Sequence, residues 1–90
     1  MGFILDATNA LKRVMTGEVI QQIDTAANSG WATMSLRLKR ERGSNDLYVV
    51  LAGLARGNYQ YFAFTRDEFV KFSEAVKTIR DSLSSQEPKA

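Results

Sequence analysis

The stretch Asn58–Ile79, NYQYFAFTRDEFVKFSEAVKTI, changes its period in the middle. Up to Phe64 it reads as a strand, with Phe62 and Phe64 on one face and Tyr59 and Tyr61 on the other. Thr65-Arg66-Asp67-Glu68 then fits a capping box, with Thr65 as N-cap and Glu68 three residues on. Asp67 and Glu68 suit the positive end of a helix. Beyond them Phe69, Phe72, Val76, Ile79 and Leu83 recur in steps of three and four. That spacing puts them on one face and predicts a helix over about 66–83. Residues 84–90, SSQEPKA, read as a polar tail.

Working upstream, three more strands are expected: about 18–26, 31–42 and 47–54, with the fourth at 58–64. The intervening ANSG, GSND and RG are turn chemistry, so successive strands are antiparallel neighbours. A two-residue Arg56-Gly57 turn puts Leu51 opposite Phe62 and Val49 opposite Phe64. A four-residue turn at 43–46 puts Leu38 opposite Leu51 and Leu36 opposite Gly53. A four-residue turn at 27–30 puts Ile23 opposite Met34 and Val19 opposite Leu38. All three registers gather apolar residues on one face, which a slip of one residue would scatter.

The fold class is therefore α+β: a single β-β-β-β-α unit, a four-stranded antiparallel curved sheet with a C-terminal helix on one face. The helix-facing side holds Val19, Ile23, Met34, Leu36, Leu38, Val49, Leu51, Phe62 and Phe64. The other face is expected to be uncovered. It carries Trp31, Thr33, Ser35, Arg37, Lys39, Tyr48, Val50, Leu54, Tyr59 and Tyr61. Aromatic rings stack on bases and cations track phosphates, so this mixture suits single-stranded nucleic acid. Arg40 and Arg42 have helix-side parity but lie near a strand end, where they can turn to the rim. Tyr, Trp and Thr also favour strands on any face, and an open sheet is equally a dimer interface. Val50, Ala52, Ala63 and Leu54 favour a protein contact locally.

The first 17 residues are open to two readings: an irregular arm, or a short helix capped by Asp6. That helix would have Ala7, Ala10, Leu11 and Val14 on one side and Gly17 after its end. The domain layout is then an arm or helix over 1–17, the β-β-β-β-α unit over 18–83 and a tail over 84–90.

Ninety residues suffice for one domain with a modest core. The net charge is +2, and four of the 12 basic residues fall between Arg37 and Arg42. With no cysteine or histidine, disulfides, thiolate metal sites and histidine-based triads are excluded. The acids do not cluster, and LAGLARGNY matches no phosphate-loop pattern. No enzyme activity, cofactor or metal is expected. A small-ligand carrier would need a cavity between helix and sheet, which Phe62, Phe64, Phe69 and Phe72 are expected to fill. The start does not read as a signal peptide, and no apolar run is long enough to span a bilayer. An intracellular location without membrane contact is expected.

The strand order, the basic WATMSLRLKRER and the strand running directly into a helix resemble single-stranded nucleic-acid binders: Pur-alpha repeats, positive cofactor four and the Whirly proteins. The resemblance covers about 18–83. The glycine-lysine-rich strand of Whirly proteins and the Ser-rich acidic arm of positive cofactor four have no counterpart here. The resemblance implies pairing of two units with central helices, so that this chain homodimerises through Phe69, Phe72, Val76 and Ile79. It implies single-stranded DNA or RNA contacts from Trp31, Arg37, Lys39, Tyr59 and Tyr61, with Arg40 and Arg42 at the margin. The implied role is transcription regulation or nucleic-acid handling. The alternative is a protein-interaction or dimerisation module without nucleic acid.

Overall fold

The structure is a computed structural model and describes residues 11–86. Residues 11–15 are helical and precede β1 (Glu18–Ala27). After a short 3-10 turn come β2 (Ala32–Arg40), β3 (Leu47–Ala55), β4 (Asn58–Phe64) and α1 (Arg66–Gln86). The strands form one antiparallel sheet in the order β1-β2-β3-β4. The expected β-β-β-β-α unit is thus present.

The capping box forms as read. The Thr65 amide donates to Glu68 Oε1 at 2.9 Å, and the Glu68 amide to Thr65 Oγ1 at 3.2 Å. These bonds satisfy donors that a helix start leaves orphaned. The helix runs on to Gln86, past the expected end near Leu83.

The β3–β4 register is the expected one, with Leu51 opposite Phe62 and Val49 opposite Phe64. The β2–β3 register is offset by two: Leu36, not Leu38, lies opposite Leu51. The loop is longer than a four-residue turn. Glu41 and Asp46 join it, closed by Glu41 N–H to the Asp46 carbonyl at 2.8 Å. Asn45 takes the left-handed conformation there, with φ 63°. An offset of two preserves the faces, since side chains alternate with period two.

β1 departs further. Ile23 lies opposite Leu36 rather than Met34, because Trp31 leaves the strand and closes the preceding turn. A bulge between Val19 and Gln21 then places Val19 opposite Lys39 instead of Leu38. An extra residue flips the parity of what precedes it, so Val19 moves to the Lys39 side.

The larger correction concerns which face is covered. α1 follows β4 at the sheet edge, and its first turns pack there: the Phe64 ring lies 6.1 Å from Phe69 and 5.1 Å from Phe72. No residue of α1 is buried. Toward β1 and β2 an apolar groove of about 410 Å³ remains between helix and sheet, lined by Ile23, Leu36, Leu38, Val49, Phe69 and Val70. The phenylalanines therefore fill only one side of that space. The opposite face, expected to be open, holds Ser35, Lys39, Tyr48, Val50 and Ala52, all buried. Part of its cover is the chain entering β1, whose backbone receives hydrogen bonds from Lys39 and Tyr48.

Candidate nucleic-acid interface

The sheet divides the expected site into two ends. At one end lie the hairpin turns before β2 and after β3. Ala32 pairs with Ala55, so Trp31 and Arg56 sit one step beyond that pair. Trp31 is 81% exposed. Tyr59 pairs with Leu54 and Tyr61 with Ala52, on the face shared with Ser35 and Arg37. Both tyrosines are exposed. Rings in solvent at strand ends and on an edge strand are free to stack on planar partners.

The other end holds Lys39, Tyr48 and the segment before β1. Lys39 is only 5% and Tyr48 only 1% exposed. The Lys39 ammonium donates to the carbonyls of Arg13 and Val14, each at 3.1 Å. The Tyr48 hydroxyl donates toward the carbonyls of Arg13 at 2.8 Å and Thr16 at 3.0 Å. Arg13 and Val14 belong to the last turn of a helix, and Thr16 follows it; carbonyls there lack intrahelical partners and attract positive charge. Arg13 in turn lies over the Tyr48 ring, 5.0 Å from its centroid, and pairs with Glu41 at 3.2 Å.

Gly17 makes this junction possible. Its φ is +84°, and a Cβ there would collide with the Tyr48 hydroxyl and sit 3.1 Å from the Arg40 carbonyl. Only glycine accepts both the conformation and the approach. Gly17 stands just after the helix end, as the helical one of the two readings of residues 1–17 expects. Asp6, Ala7 and Ala10 of that reading lie outside the described residues.

Burial disfavours charge on both side chains. It pushes the Lys39 ammonium below 10.5, and the nearby Arg37 charge adds to this. It pushes the Tyr48 phenol above 10.0; the Arg13 guanidinium opposes that rise and Glu41 adds to it. Among the described residues no carboxylate pairs with Lys39. Among the described residues its charge is met by those two neutral carbonyls and by the Tyr48 ring, 5.8 Å from the ammonium.

The remaining cations are spread out. Arg37 is half-buried and donates from Nε to Ser35 Oγ at 3.2 Å. Arg40 is exposed and lies 3.7 Å from Glu18, a pairing worth little at the surface. Arg42 is exposed in the β2–β3 loop. β2 from Ala32 to Arg40 spans roughly 26 Å. The structure thus brings Trp31, Tyr59 and Tyr61 to one end and Lys39, Arg40 and Arg42 to the other, with Arg37 between them.

Sequence reasoning missed Arg13 and the role of Tyr48. One signal was available: Val50, Ala52 and Ala63 are apolar and small, as under a covering segment. Among the described residues there is no cluster of metal-ligating side chains, and no helix is long and apolar enough to cross a membrane. Comparison with protein-family models, curated proteins and solved structures gave no match.

Proposed function

We propose that this chain is a homodimeric single-stranded nucleic-acid-binding module, serving transcription or nucleic-acid handling. The observation that carries the reading is the exposed set of Trp31, Tyr59 and Tyr61, beside Arg56 and along the strands from Arg37. Stacking on such rings accepts any base, and the arginines supply phosphate contacts.

Pairing of two copies is supported by α1. Phe72, Val76, Ile79 and Leu83 continue the stripe begun by Phe69, and Ile79 and Leu83 are 63% and 65% exposed. The 3-4-3-4 spacing is that of a short helix–helix seam. An apolar stripe this continuous calls for a partner. The same surface favours the second reading, in which the chain docks another protein and binds no nucleic acid.

A titration of labelled single-stranded oligonucleotide at low and moderate salt decides between them. Binding that weakens with salt is expected, because phosphate contacts release counterions. No binding at low salt refutes the nucleic-acid reading and leaves the docking one.

A further inference from the structure

The aromatic end of the interface is open, whereas at the cationic end Lys39 is shut away, with Arg40 and Arg42 exposed. Between them, Ser35, Val50 and Ala52 are closed to solvent as well. A strand of nucleotides stacked on Tyr59 and Tyr61 and running across the sheet toward Arg37 and Lys39 meets this closed stretch. Its described cover, where Lys39 and Tyr48 reach out of the sheet, is the segment from Lys12 to Gly17.

The fastening of that segment is polar. It consists of the Lys39 and Tyr48 hydrogen bonds, the Arg13–Glu41 pair and the Arg13 guanidinium over the Tyr48 ring. Among the described residues the Lys39 ammonium has no acidic partner, and two neutral carbonyls offset the cost of its burial incompletely. A phosphate is a better partner than a carbonyl, since a charge-assisted bond between two ions is the stronger kind. Glu41 does not compete for Lys39, because it is engaged by Arg13 and Ser44. An anion arriving at Lys39 therefore competes with the segment's carbonyls for the ammonium.

We propose that residues 12–17 form a latch over the phosphate-binding end of the interface, and that single-stranded nucleic acid and the latch compete for Lys39. The latched chain binds without Lys39. The opened chain adds Lys39, lengthening the contact along β2. This rests on the nucleic-acid reading above and adds a regulated state to it.

The test compares the full wild-type chain with Tyr48→Phe, using a fluorescein-labelled single strand of about 15 nucleotides, near the upper site size of a small binding domain. The variant keeps the ring and loses both hydroxyl bonds. Binding about tenfold tighter is expected, because the apparent affinity scales with the fraction of open chain. Equal or weaker binding by a folded variant, with the wild type binding, overturns the latch and leaves the nucleic-acid reading intact. No binding by either chain defeats both. Should Tyr48→Phe fail to fold, tryptic cleavage after Lys12 and Arg13 of the wild type decides. Saturating oligonucleotide should speed that cleavage; an unchanged or slower rate overturns the proposal.

Discussion

Gly17→Ala should be among the most damaging single-methyl changes in the chain, and its cost can be worked from the geometry. Holding a non-glycine residue near φ +84° costs about 1–2 kcal/mol. The new Cβ also displaces the Tyr48 hydroxyl, which loses its bonds to the Arg13 and Thr16 carbonyls. One hydroxyl proton is shared between the two carbonyls, so its loss adds about 0.5–1.5 kcal/mol. The expected total is about 1.5–3.5 kcal/mol, a large part of the stability of a chain this small. Tyr48→Phe alone should cost about 0.5–1.5 kcal/mol. The informative measurement is the double variant. With the hydroxyl gone, the severest collision is removed and the tight approach to the Arg40 carbonyl remains, so Gly17→Ala in the Tyr48→Phe background should cost mainly the backbone strain, about 1–2 kcal/mol, and less than in the wild type. Urea unfolding followed by circular dichroism, at one fixed protomer concentration, supplies the four free energies. Additive losses, with no coupling between Gly17 and Tyr48, would refute the account of the junction.

Trp31→Ala and Tyr61→Ala should each weaken single-strand binding by about 1–3 kcal/mol, with the thermal transition unmoved since neither ring is buried. Ile79→Glu should break a pairing through α1; light scattering should fall from about twice 10.1 kDa to the single-chain mass, and an unchanged mass sinks that seam. Alkaline titration should separate Tyr48 from Lys39. Tyr48, raised above 10.0, contributes stability that is present below pH 10 and lost as pH climbs through its folded value. Lys39, lowered below 10.5, acts oppositely: the penalty of its buried charge fades as pH rises through the lowered value. Unfolding free energies of Lys39→Met should therefore show only the fall, and those of Tyr48→Phe only the rise.

Local chemistry carried most of the fold into the sequence. The change of period at Thr65 located both the last strand and the helix start, because alternation and capping involve neighbouring residues only. Face membership survived errors of register for the same reason: misjudged loops shifted β2 by two positions, not one. Val19 escaped because a bulge at Ile20 leaves no mark in composition. The cover of the second face was harder to read. Tyr48, Lys39 and Arg37 look like an exposed functional face when the strand is read alone. The burial of Tyr48 and Lys39 depends on a segment more than 20 residues away, brought back by the turn at Gly17. Long-range placement of that kind is not encoded in any local pattern. The apolar Val50 and Ala52 beside Lys39 were the legible hint.

The two faces of the sheet complement each other in a way that a chain of 90 residues makes necessary. Such a chain has too little material to cover both faces fully. Here the segment before β1 closes one face at the Lys39–Tyr48 end, while the helix closes the other only along β3 and β4. What stays bare is then apolar on the helix side, at Ile23, Phe62 and the α1 stripe, and aromatic at Tyr59 and Tyr61 on the other, with Trp31 in the turn before β2. Bare aliphatic surface is satisfied by another protein surface, and a second copy offers the same stripe by symmetry. Bare rings beside arginines are satisfied equally well by bases and phosphates. The division of labour predicts that the two kinds of variant act independently. Ile79→Glu should alter mass without lowering the affinity of a single unit for a short strand, and Trp31→Ala should alter affinity without altering mass. A variant on either side that moves both readouts would mean that one surface serves both purposes, and the separation argued from the fold would fail.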